Sequence, residues 1–223
     1  MPQFLICLDL DGTIEDSRAD MAAAVRRVRA DLGLPPRPDD AVLPHLGKGM
    51  DALYKACFDD ALAAGSSLKR VEAAYEEDYL AHVADQTRLY DGMAEALQDL
   101  SELGSLAVVT NKPEAISREL LKALGVDARV GTVVGGDTAG VTKPDPLMIR
   151  CAAEDLGLKG KPAVMIGDTS ADVKMGKAFG AKTVWCAWGY SAEPGEAPDS
   201  TAKVPGDLPA LVKSLLLNSV APA

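Results

Sequence analysis

Histidine is nearly absent from this 223-residue chain and cysteine is sparse, so the residue types that usually hold zinc build no site. His45 and His82 share metal-ligand spacing with no other ligand and read as structural or surface residues. Cys7, Cys57, Cys151 and Cys186 are far apart, form no CxxC pair and sit in apolar stretches, which points to reduced core thiols. No apolar run approaches the roughly 18 residues of a membrane-spanning helix. Neither does a basic segment followed by an apolar run open the chain, so the expected address is the cytoplasm. Positive charge is also short, 23 Lys and Arg against 33 Asp and Glu, a net −10. That balance argues against nucleic acid or an anionic membrane as a partner.

What is present is an ordinary globular composition, 48% hydrophobic and 25% charged, long enough for one large domain or a core with a smaller module. Phe4 to Leu8 is a short apolar run that ends on Asp9-Leu10-Asp11-Gly12, and it reads as a buried strand. From Ser17 to about Leu32 the pattern is helical, with Ser17 and Asp20 in capping-box spacing. Pro35-Pro36-Arg37-Pro38 breaks it. Further helices are expected over about 50–64 and 68–84, the second packing Tyr75 and Tyr79 on one face.

After Tyr90-Asp91-Gly92 the texture alternates. Helices are expected at 93–103, from Pro113 to near Gly125, and at 146–156, 170–179 and 208–217. Strands are expected at 106–110, 130–134, 163–166 and 183–186, with a loop over 190–205 and Trp185 and Trp188 anchoring the core. Such alternation predicts an α/β fold, a doubly wound parallel sheet covered by helices, with an all-α insertion after its first strand. The expected division is a core of 1–14 and 86–223 and a helical module of 15–85.

In open α/β sheets ligands bind beyond the carboxyl ends of the strands. Four such ends carry polar candidates: Asp9 and Asp11; Thr110, Asn111 and Lys112; Lys143; and Asp168 with Asp172. Converging carboxylates repel by about 4 kcal/mol per pair at an effective dielectric of about 20, so they call for a cation. A divalent ion and a lysine would supply it, and oxygen-only ligands favour Mg²⁺. Taken singly, each motif has a plainer reading as a turn, a helix cap or a loop. Their joint occurrence at four successive strand ends is what the plain readings leave unexplained.

Asp9-Leu10-Asp11-Gly12-Thr13, Thr110-Asn111-Lys112, Lys143-Pro144 and Gly167-Asp168-Thr169-Ser170-Ala171-Asp172 resemble, in order, the four motifs of the haloacid dehalogenase superfamily. The helical block resembles the α-helical cap of one branch of that superfamily, inserted into its Rossmann-like core. Leu46-Gly47-Lys48-Gly49, Tyr90-Asp91-Gly92 and Thr110-Asn111-Lys112-Pro113 are most similar to phosphoglycolate phosphatases.

The resemblance implies an Mg²⁺-dependent phosphatase acting on a small phosphorylated metabolite, as a monomer or homodimer. It implies Asp9 as nucleophile, Asp11 as general acid and base, and Gly12 and Thr13 as shapers of the loop. Thr110 and Asn111 would bind the phosphoryl oxygens, Lys143 would neutralise charge, and Lys112 would be a mere flank. Asp168 would ligate Mg²⁺ with Asp9 and the Asp11 carbonyl, and Asp172 would act behind them. Gly47 and Lys48 would form a substrate-selecting loop, with Lys48 facing a substrate carboxylate. The alternatives are a phosphomutase of the same superfamily or a catalytically silent binding protein. Dehalogenation is disfavoured by Asp11, and phosphonate cleavage through Lys48 is a remote option.

Overall fold

The computed structural model describes residues 4–46 and 49–218. Strand β1 (Leu5–Leu8) is followed by the two-residue β2 (Glu15–Asp16) and helices α1 (Arg18–Asp31), α2 (Met50–Cys57), α3 (Asp59–Ala63) and α4 (Leu68–Ala81). Then come β3 (Arg88–Leu89), α5 (Met93–Leu103), β4 (Ser105–Val109), α6 (Glu114–Ala123), β5 (Val130–Val134) and α7 (Leu147–Asp155). The chain closes with β6 (Ala163–Gly167), α8 (Ser170–Phe179), β7 (Lys182–Cys186), β8 (Ser200–Ala202) and α9 (Leu208–Asn218). Two compact units result, Met1–Glu15 with Leu89–Ala223, and Asp16–Arg88. No helix among the described residues is long and apolar enough to cross a membrane.

The first unit holds a six-stranded parallel sheet ordered β5-β4-β1-β6-β7-β8. All four residues of β1 are fully buried, because a central parallel strand is covered on both faces; hence its unbroken apolar run. On one face Leu5, Cys7, Ala107, Val109 and Val134 pack with Met148, Ile149 and Ala152 of α7. Register decides where the chemistry falls. Leu8 stands level with Val108 on one side and Ile166 on the other, so Asp9, Thr110 and Asp168 emerge at one sheet edge.

The second unit is helical. Tyr54, Tyr75 and Tyr79 are buried in it, and their rings meet edge-on or tilted, with centroids 5.4 and 5.7 Å apart. The helix expected over 50–64 divides at Phe58, whose φ of −132° leaves the helical range. The buried guanidinium of Arg29 takes the Cys57 carbonyl at that break, at 2.6 Å. Arg29 also donates to the Pro35 carbonyl at 2.9 and 2.7 Å and to both carboxylate oxygens of Asp60. Arg29→Ala strands two carbonyls at about 1–3 kcal/mol each, so a loss of about 3 kcal/mol is expected in urea unfolding. An unchanged midpoint would contradict this assignment.

The capping box expected of Ser17 and Asp20 does not form: Ser17 makes no side-chain cap bond. Asp20 is instead drawn to residues distant in sequence, accepting from the Gln86 and Thr87 amides and the Thr87 hydroxyl at 2.7–3.1 Å. Three fixed donors compete better for a carboxylate than one helix-end amide does.

Candidate active site at the carboxyl edge of the sheet

Asp9 is the first residue beyond β1; its amide donates to the Ile166 carbonyl at 2.9 Å, and its side chain is buried. Its Oδ1 accepts from the Leu10 amide at 2.7 Å and pairs with Lys143 Nζ at 2.7 Å. The same ammonium reaches Asp172 Oδ1 at 2.8 Å. Asp172 is fixed in turn, its Oδ2 accepting from the Thr169 amide at 3.0 Å and the Thr169 hydroxyl at 2.6 Å across the start of α8. With Asp168 it completes a group of three buried carboxylates whose ligand oxygens lie within 4.8 Å of one another.

Three carboxylates against one ammonium leave the cluster two negative charges in excess when all are ionised. Burial, and then the neighbouring Asp172 and Asp168, overcome the pull of Lys143 and push Asp9 up to about 8. Burial and Asp172 likewise push Asp168 up to about 6. Burial opposes the charge on Lys143, but Asp172 and Asp9 outweigh it and hold the ammonium above its ordinary range. A buried, all-oxygen donor set with an excess of two negative charges fits a hard divalent cation, so Asp9, Asp168 and Asp172 could hold one.

The loops around the cluster are fixed by close approach. Gly12 has φ +80°, and a Cβ there would lie 2.5 Å from Asp168 Oδ2, so no other residue fits without moving Asp168. Asp168 Oδ2 accepts from the Tyr190 amide at 2.6 Å, and its Oδ1 from the Thr13 hydroxyl at 3.3 Å. Both tryptophans brace this region. Trp185 Nε1 donates to the Asp168 carbonyl at 3.0 Å, and Trp188 Nε1 to the Thr13 carbonyl at 3.1 Å. The expectation of core anchors is corrected: both rings are only half-buried, outside the core, and they brace backbone carbonyls through N–H groups that a hydrophobic pattern does not show.

Beyond β4, Thr110 is buried with its amide on the Val134 carbonyl, and its hydroxyl oxygen accepts from the Lys112 amide at 3.2 Å. Asn111 Oδ1 accepts from the Lys143 amide at 2.8 Å, tying the second and third motifs together. Lys112 is no flank. Its side chain is wholly buried, and its ammonium pairs with Asp11. The Asp11 carboxylate therefore points to Lys112, while the converging three are Asp9, Asp168 and Asp172. Gly47 and Lys48 lie outside the described residues.

A parallel sheet that gathers buried aspartates and a lysine at its carboxyl edge is the architecture of an α/β enzyme. The pattern of the haloacid dehalogenase-like hydrolases matches residues 6–186. The phosphoglycolate phosphatase of Aquifex aeolicus (strain VF5) is 34% identical over 92% of this chain and 94% of its own length. That of Rhodospirillum rubrum is 37% identical over 87% and 83%. Among solved structures, a predicted phosphoglycolate phosphatase from Haemophilus somnus 129pt superimposes with a TM-score of 0.83 at 27% identity, over 95% of this chain and 99% of that one. The chain belongs to the haloacid dehalogenase-like hydrolase family and is a phosphatase within it.

Proposed function

We propose that the chain hydrolyses a small phosphomonoester of the phosphoglycolate type, with Mg²⁺ as cofactor and through an aspartyl-phosphate on Asp9. The observation that carries this reading is the buried contact of Asp9 with Lys143 beside Asp168 and Asp172. Asp9 and Asp168 would hold the ion, with the Asp11 carbonyl, while Asp172 keeps Lys143 in place. Bound there, Mg²⁺ would supply the charge that lets a dianionic phosphate approach buried carboxylates.

The chain's own groups then divide the work. An Asp9 carboxylate oxygen attacks phosphorus as the ester P–O bond breaks, and the leaving alkoxide takes its proton from Asp11. In the second displacement Asp11, now a carboxylate, takes a proton from the attacking water. The bond between Asp9 and phosphorus breaks and inorganic phosphate departs. Lys143 neutralises charge on Asp9 and on the transferring group, while the Thr110 hydroxyl and the Asn111 amide donate to the phosphoryl oxygens. Gly12 leaves room for Asp168 behind them.

The phosphoglycolate type is supported by relatives of that name above 30% identity over most of both chains. Residues 16–88 are assigned as the helical cap on their place between the first two motifs, with Gly47 and Lys48 as its substrate-selecting segment. Phosphate release should be measured on phosphoglycolate, sugar phosphates, pyrophosphate and nucleoside monophosphates, each with Mg²⁺ and with chelator. We expect stoichiometric release, fastest from phosphoglycolate and lost with chelator. Release of almost no phosphate alongside an isomerised sugar phosphate would make the chain a mutase. No turnover of any compound would sink the reading.

A further inference from the structure

Lys112 is a cation at the site that the proposed chemistry does not use. Its side chain has no exposure, and its ammonium pairs with the Asp11 carboxylate, itself 13% exposed. Burying an ammonium costs several kcal/mol, and such pairs seldom stabilise a fold better than apolar residues of similar size. Stability alone therefore does not account for the pair. The backbone is built to aim it: the Lys112 amide donates to the Thr110 hydroxyl at 3.2 Å, and its carbonyl accepts from the Gly136 amide at 3.1 Å. A Cβ at Gly136 would lie 2.5 Å from the Asn111 carbonyl oxygen, so the 110–112 turn is clamped from that side as well.

We infer that Lys112 is a positioning residue which holds the Asp11 carboxylate in the orientation its proton transfers require, acting through Asp11 and not on substrate. The inference rests on the role proposed for Asp11. A group acting only through another has no effect once that other is removed.

The test compares wild type, Lys112→Met, Asp11→Asn and the double variant on the panel compound that wild type turns over fastest. Lys112→Met should lower kcat roughly 10–100-fold, a share of the 10²–10⁴-fold that a positioned acid–base group contributes. KM should stay within about twofold, because Lys112 would not touch substrate. In the Asp11→Asn background Lys112→Met should add less than about a twofold loss. Losses that multiply, or a rise in KM with kcat unchanged, would overturn the inference and make Lys112 a substrate-binding cation.

If Lys112→Met alone does not fold, Asp11→Asn against the double variant carries the comparison, since the double variant leaves neither charge of the pair behind. The two readings fail differently. An inactive wild type sinks the proposed function, whereas an active wild type with multiplying losses sinks the role of Lys112 alone.

Discussion

Asp9→Asn should abolish phosphate release, by roughly 10⁴-fold or more, while leaving a folded protein. Asparagine keeps the shape and the bond from the Leu10 amide but is no nucleophile toward phosphorus. Lys143 retains Asp172 as its partner at 2.8 Å, so no buried ammonium is stranded. The stability consequence has a definite sign. In the metal-free protein Asp9 is raised to about 8 from an ordinary 3.8. Between those values the folded chain keeps a proton that the unfolded chain has lost, so this contribution to stability is full below about pH 4 and lost as pH rises through about 8. Asp9→Asn removes it from the pH profile. Melting curves without divalent ions should therefore show the variant gaining on wild type across that window. Part of the slope will persist through Asp168, which is raised to about 6. A variant that lost ground with rising pH would contradict the electrostatic account of the site.

Lys143→Met is expected to be the most damaging change to stability at the site. Its ammonium touches both Asp9 and Asp172, and its removal leaves three buried carboxylates facing one another. Breaking a buried pair in this way costs about 3–5 kcal/mol. For a chain of this size that is a fall on the order of 10 °C in Tm. Activity should fall roughly 10²–10³-fold with the loss of a cation from the transferring group. Millimolar Mg²⁺ should recover part of the lost Tm and raise the variant more than wild type, because it supplies the missing positive charge to the same carboxylates. Equal midpoints for variant and wild type, or no effect of Mg²⁺ on the variant, would show that the carboxylates are not coupled as described.

The parts legible in the sequence were those with a local signature. β1, β4 and β6 are apolar runs ending on polar residues, and reading the chain at those ends found Asp9, Thr110 and Asp168 without knowing the strand order. The parts that escaped depend on partners distant in sequence. Ser200–Ala202 forms β8 although Ser, Thr and Ala make no apolar run; only its pairing beside β7 makes it a strand. The break at Phe58 is set by Arg29, which lies 28 residues from the carbonyl it takes at Cys57. Asp20 looked like a helix-end acceptor because Gln86 and Thr87 are invisible from its neighbourhood in the chain.

Lys112 is the instructive miss. A lysine after Thr-Asn and before Pro reads as a solvated flank, and the one hint to the contrary was that it adjoins two site residues. Its burial against Asp11, 101 positions away, is a property of the assembled sheet. The tryptophans escaped for a related reason. Both rings are half-buried and outside the core that their apolar bodies suggest, and the N–H groups that hold the Asp168 and Thr13 carbonyls leave no trace in a sequence pattern.

The central claim is most directly tested by quenching the enzyme in acid during turnover with Mg²⁺ and weighing its peptides. One peptide, containing Asp9, should carry the mass of a single phosphoryl group, and Asp9→Asn should carry none under the same conditions. Phosphate released at full rate with that peptide never modified, or a phosphoryl group found on a different residue, would contradict the account.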